Sequence, residues 1–174
     1  MRRQIQAVGF MMGLLCAEFG FSQKVAPDGP KASFAMNISL KDTIVKQGAE
    51  IQIVVELTNT SAGRILLWRS RSGPPPYTIR VLDREGRGAP MTAKGRAFQR
   101  GEAVIRENGK IVRAFPGGGE QVAIEPNETV KDSVSIDDQF DISQPGTYAV
   151  QLERVDPVTK ALSKSNIVSL TVVK

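Results

Sequence analysis

Phe140-Asp141-Ile142-Ser143-Gln144-Pro145-Gly146-Thr147-Tyr148 runs straight into a segment in which Tyr148, Val150 and Leu152 alternate with Ala149 and Gln151. Pro145-Gly146 closes a turn, and a tyrosine two residues later opens a strand with one apolar face. This is the arrangement of a tyrosine corner, in which the phenol packs inward and its hydroxyl satisfies a nearby backbone group. The stretch predicts a β-sandwich.

The same period of two recurs on both sides of it. Phe34, Met36, Ile38 and Leu40 alternate with small or polar residues, as do Tyr77, Ile79 and Val81. Ile51, Ile53, Val55 and Leu57 form the clearest strand of the chain, and Val168, Leu170 and Val172 form a closing one. Ile65-Leu66-Leu67-Trp68 is apolar on both faces, as a central strand would be. Val122 with Ile124, and Val130 to Ile136, supply further strands. Ala103–Glu107 and Lys110–Arg113 flank Asn108-Gly109, a dipeptide whose tolerance of positive φ suits a two-residue hairpin.

Between the strands, Arg69 to Pro76 reads as an exposed loop stiffened by Pro74-Pro75-Pro76 in a polyproline II conformation. Arg87 to Gly101 has no dependable pattern and reads as loop. Gly117-Gly118-Gly119 reads as a flexible joint, and Asp156 to Asn166 as a polar connection. No amphipathic helix is expected after residue 22. The predicted fold is all-β: an antiparallel two-sheet sandwich of about seven to nine strands. Its expected core is Ile51, Ile53, Val55, Leu57, Ile79, Val81, Tyr148, Val150, Leu152, Val168, Leu170 and Val172.

At the other end of the chain, Met1-Arg2-Arg3 precedes an apolar run from Ala7 through Leu15, and Gly20-Phe21-Ser22 places small residues for a cut before Gln23. That is the build of a secretory signal peptide. The run is shorter than the roughly 20 residues a membrane-spanning helix needs. The organisation expected is a signal peptide at 1-22, a flexible leader at 23-33 and one sandwich at 34-174, with a hairpin insertion near 103-113. No membrane span is expected after cleavage, and the product is expected to be secreted or periplasmic. Cys16 is the one cysteine in 174 residues. Leu15 before it argues against lipidation, and the cleaved chain has no disulfide to staple it. A cysteine-free exported domain suits a bacterial envelope.

The formal net charge is +5, distributed unevenly. Between Arg64 and Arg113 the basic residues far outnumber Asp83, Glu85, Glu102 and Glu107, whereas from Ala114 onward the acidic residues dominate. The chain contains no histidine, which removes the commonest general base and, with cysteine gone, the usual zinc and copper ligands. No cofactor and no metal site is expected. Asp137, Asp138 and Asp141 are the densest carboxylate cluster, and on a predicted edge turn they read as solvated capping groups. A better binding candidate is Trp68-Arg69-Ser70-Arg71-Ser72-Gly73-Pro74-Pro75-Pro76-Tyr77. In it Trp68 and Tyr77 bracket the guanidiniums of Arg69 and Arg71, which could grip carboxylates or phosphates while a ring stacks on a sugar or peptide. Nucleic acid is not expected as a partner, since no reader motif accompanies the basic segment.

From Gly48 onward the order of features resembles the immunoglobulin-like sandwiches of exported bacterial proteins. The resemblance rests on Val55-Glu56-Leu57-Thr58-Asn59-Thr60-Ser61, on Phe140 to Tyr148, and on Lys164-Ser165-Asn166-Ile167-Val168. The chain is similar, more weakly, to the sandwich of the bacterial intracellular proteinase inhibitor family, through the Asn-x-Ser turn, Val81-Leu82-Asp83-Arg84-Glu85-Gly86 and the Pro-Gly-x-Tyr corner. These motifs specify fold, and fold does not transfer function. The expectation is a non-enzymatic binding or accessory module of the bacterial cell envelope that recognises a protein or anionic glycan through sandwich-end loops. A carboxylate-dependent hydrolase and a purely structural spacer are the alternatives.

Overall fold

The computed structural model describes residues 29–174. The signal peptide, its cleavage point, Cys16 and most of the leader lie outside them. The chain is built from β1 (Phe34–Leu40), β2 (Ile44–Lys46), β3 (Gln52–Asn59), β4 (Ile65–Ser72) and β5 (Thr78–Leu82), followed by a short helix α1 (Ala93–Gln99). The remaining strands are β6 (Val104–Glu107), β7 (Lys110–Ala114), β8 (Gly118–Ile124), β9 (Thr129–Ser135), β10 (Gly146–Val155), β11 (Leu162–Lys164) and β12 (Val168–Val173).

One sheet has the order β1-β3-β9, and the other has the order β11-β10-β12-β2 with β5 on the far side of β10. Both centres are the strands whose alternation is strongest in the sequence. Val55 of β3 lies between Ile38 of β1 and Asp132 of β9, and Leu152 of β10 sits opposite Ile79 of β5. The inward faces meet in one core, in which Ile53, Val55, Val150, Leu152, Leu170, Ile124 and Ile136 are fully buried. Removing each such side chain from water is worth about 1.5–3 kcal/mol. Tyr148 opens β10 as its corner requires: the ring is buried and its hydroxyl donates to the Gln144 carbonyl at 2.8 Å.

The all-β sandwich stands, with twelve strands among the described residues rather than seven to nine, because short edge strands and a side ribbon add to the two main sheets. Six details depart from the sequence reading. Arg69–Ser72, read as the start of an exposed loop, continue β4 and pair with β8. Val168 is half-buried rather than core. β2 runs parallel to β12, so the sandwich is not wholly antiparallel. The supposed loop at Arg87–Gly101 contains α1, capped by the Thr92 hydroxyl, which accepts from Gly95 N–H at 3.1 Å. Gly117-Gly118-Gly119 is no joint, since Gly118 already pairs with Ser72 as β8 begins. The polar connection after Val155 contains β11, which folds back onto β10.

The hairpin does form. Asn108 and Gly109 take φ of 49° and 77° between β6 and β7, and among the described residues the ribbon pairs with no other strand.

Candidate functional site

β4 and β8 form a two-stranded ribbon at the flank of the sandwich. Ile65 and Leu67 of β4 point into the core, so alternation turns Leu66 and Trp68 outward, where both are half exposed. This corrects the reading of a strand buried on both faces. Trp68 is not splayed into solvent, however. A Cβ built on Gly119 would lie 2.5 Å from the indole Cζ2 and 2.4 Å from the Arg69 carbonyl oxygen. The ring therefore packs against the bare Cα of Gly119 while half of the residue stays in solvent. Gln121, its register partner, and Ser70 border the same outer surface.

The two arginines next to this platform are already engaged. Arg69 pairs with Glu120 at 3.1 Å, Arg71 pairs with the other oxygen of the same carboxylate, and Arg69 also donates to the Lys131 carbonyl at 3.2 Å. The hydrogen bond from Arg71, reinforced by the charges of both guanidiniums, holds Glu120 below the usual carboxylate range. Hence the grip predicted for a foreign anion closes on a carboxylate of the same chain, leaving one positive charge in excess. Arg71 keeps 70% of its side chain in solvent.

Tyr77 lies elsewhere. It is buried, its hydroxyl donates to Asp132 Oδ2 at 3.0 Å, and the buried Arg154 guanidinium lies over its ring at 5.2 Å. Arg154 also donates to the Trp68 carbonyl at 2.7 Å and covers the Phe34 ring at 5.7 Å. Burial, then the Asp132 charge, push the phenol pKa upward. Tyr77 thus anchors the base of the Pro74–Pro76 segment and cannot bracket a ligand with Trp68. Clefts lie on either side of that segment, and Phe98 of α1 and Gln139 border both. In one of them Lys94 pairs with Asp138 and lies over the rings of Phe98 and Phe115 at 5.2 and 5.1 Å.

The carboxylate cluster is divided among three local tasks. Asp137 accepts from Ile51 N–H at 3.0 Å, Asp138 pairs with Lys94, and Asp141 accepts from Ser143 N–H at 3.2 Å. The residues sequence reasoning missed are Gly119, Glu120 and Arg154. For Gly119 a signal existed: the alternation of Val122 and Ile124 extends back through Glu120 into the glycines. For Arg154 the signal was parity with Val150 and Leu152.

No protein-family profile matches the chain, and no curated protein sequence matches it. Among solved structures it is similar to the sporulation control protein Spo0M of Bacillus subtilis, at 9% identity over 83% of this chain and 51% of that one, with a TM-score of 0.44. It is also similar to a CARDB domain from Pyrococcus furiosus crystallised with di-metal ions, at 13% identity over 86% of this chain and 97% of that one (TM-score 0.39). A third is a β-glucosidase of Erythrobacter marinus, at 11% identity over 82% of this chain (TM-score 0.41). The chain spans 16% of that glucosidase. Among the described residues no helix is long and apolar enough to cross a membrane.

Proposed function

We propose that this chain is an exported, non-enzymatic binding module of the bacterial cell envelope, whose recognition surface is the outer face of β4 and β8 around Trp68. The carrying observation is an indole packed against Gly119 and still half exposed. A large apolar ring costs solvation when left exposed, and a rigid one loses little entropy on binding, so it favours stacking on the apolar face of a sugar or on a peptide side chain. Gln121 and Ser70 add hydrogen-bonding groups beside it, and Arg71, at the strand irregularity between Ser70 and Ser72 and largely exposed, supplies a charge at the edge of that face suited to an acidic glycan. The absence of histidine from the chain and the structural employment of Asp137, Asp138 and Asp141 support binding over hydrolysis.

Trp68 is the single tryptophan, so its fluorescence reports on the site directly. Titration with soluble acidic envelope polysaccharide is expected to shift the emission to the blue and to saturate. Trp68→Ala is expected to abolish retention on the immobilised polysaccharide, and Arg71→Ala to weaken it and flatten its salt dependence. Unchanged emission across acidic and neutral envelope glycans and peptides, with equal retention of Trp68→Ala, would defeat the reading.

A further inference from the structure

A strand with one free side leaves alternate N–H and C=O groups unpaired, and folded proteins cover or charge such edges. Most edges of this sandwich are treated in that way. On β1 the Asn166 amide accepts from Ile38 N–H at 2.7 Å and donates to the Ile38 carbonyl at 3.0 Å. Beside β5, Leu82 bridges Gly88, and Ala89 N–H donates to the Val81 carbonyl. On β9 the Lys131 carbonyl takes Arg69. β2 and β11 are three residues long, and the β6–β7 ribbon carries Arg106, Glu107, Lys110 and Arg113.

β8 differs. It runs for seven residues, pairs with β4 alone, contains no lysine, arginine or proline, and its one charge, Glu120, is already neutralised. Its free side can be assigned. The Trp68 carbonyl turns away from β8 to meet Arg154, so Trp68 and its register partner Gln121 exchange no backbone bonds. By alternation Gly119, Gln121 and Ala123 direct theirs outward. Among the described residues no strand or side chain takes them.

The side chains decide what can dock there. When β8 is set antiparallel to itself about Gln121, Gly119 faces Ala123 of the other copy, Gln121 faces Gln121, and Glu120 faces Val122. No charge directly faces its like, the diagonal Glu120 pair is neutralised by Arg69 and Arg71 of each copy, the smallest residues of the strand face each other, and the exposed Gln121 amides can bond across the axis. The half-buried Val122 lies diagonal to its own counterpart, within reach for an apolar contact. We propose that β8 pairs with β8 of a second copy of this chain, joining two β4–β8 ribbons into one four-stranded sheet. Such a contact is isologous and closes on itself, and it adds about six main-chain hydrogen bonds. It leaves the half-exposed Trp68 of each copy uncovered.

Sedimentation of the wild type over a range of concentrations is expected to show a monomer–dimer equilibrium. Gln121→Lys, which sets two ammonium groups on the axis, is expected to be monomeric at every concentration, with unchanged circular dichroism. Gln121→Pro should act likewise, because the lost N–H faces outward and β4 pairing survives. In a Cys16→Ser background, Gln121→Cys is expected to cross-link to itself on oxidation, whereas Gln52→Cys on β3 should not. A wild type that stays monomeric, or a dimer that survives both Gln121→Lys and Gln121→Pro, would overturn the proposal. So would protection of β8 amides that arises only when a foreign protein is added to monomeric chain, an outcome that would give the edge to another partner's strand.

Discussion

Asn59 and Asn166 each use a side-chain amide where a peptide group is missing. Asn59 is fully buried at the end of β3; its Nδ2 donates to the Gly63 and Ile124 carbonyls at 2.8 and 2.9 Å, and its Oδ1 accepts from Ser61 N–H and from the Ser61 hydroxyl. The Asn-x-Ser turn read in the sequence is therefore a clamp that binds β4 and β8 to the end of β3. Asn59→Ala removes the buried amide that bonds the Gly63 and Ile124 carbonyls and Ser61 N–H, and is expected to cost roughly 2–4 kcal/mol in urea unfolding. Asn59→Asp should be no better, since a carboxylate presents acceptors to acceptors. At Leu152, fully buried between the sheets, truncation to Ala should cost about 2–5 kcal/mol. A loss typical of a surface site at either position would show that the packing is misplaced. Gly119→Ala tests a different property: its methyl must displace both the indole and the Arg69 carbonyl of the paired strand, so a red shift of the Trp68 emission should accompany a clear loss of stability.

At the scale of elements, the legible strands were those whose pattern is set by burial on one face. β1, β3, β5, β10 and β12 each keep alternate residues in the core, and a period of two records that directly. α1 was hidden because it has only seven residues and is held by tertiary contact: Gly95 lies so close to the Gln139 carbonyl that a Cβ there would stand 2.0 Å from its oxygen. β2 has three residues with Ile44 largely exposed, too short for any pattern. The start of β8 was masked by glycines that suggest flexibility but here make room for an indole. Of the candidate site, alternation alone placed Tyr77 with Ile79 and Val81 facing inward, which separates it from an outward Trp68. The partner of Arg69 and Arg71 was not legible, because Glu120 is 49 residues beyond Arg71 in the chain and reaches it only through strand pairing. The β6–β7 ribbon yields its own prediction. Ile111 and Val112 are each more than half exposed, and β7 has no buried residue. Two-stranded ribbons are marginal in isolation, so its amides should exchange much faster than those of β3 and β10, through local opening. Equal protection would mean that the ribbon is part of the cooperative core.

For the whole molecule, the response to acid follows from how its ends are tied together. Asp156 is fully buried after β10, where its carboxylate accepts from Ser33 N–H at 2.6 Å, from Val158 N–H at 2.8 Å and from the Thr159 hydroxyl at 3.0 Å. It fastens the entry to β1 onto the β10–β11 turn. Burial pushes its pKa up, but the hydrogen bonds from Ser33, Val158 and Thr159 outweigh burial and bring it down to about 2, from 3.8. Glu153 is also held low, by Lys164 first and then by Arg80. A carboxylate whose pKa is depressed by folding contributes stability that is fully present above its unfolded value and disappears as pH falls through its folded value. Stability should accordingly be flat from neutral pH down to about 4–5 and fall steeply between about 4 and 2. Asp156→Asn keeps the shape of the group but cannot titrate. It is expected to be less stable than wild type at pH 7, because a neutral amide accepts from Ser33 and Val158 more weakly than a carboxylate, and to lose less on acidification. The two urea-midpoint curves should converge as pH approaches 2. Parallel curves across that range would show that Asp156 does not carry the acid sensitivity, and that the link between the chain's entry and the β10–β11 turn is held by packing instead.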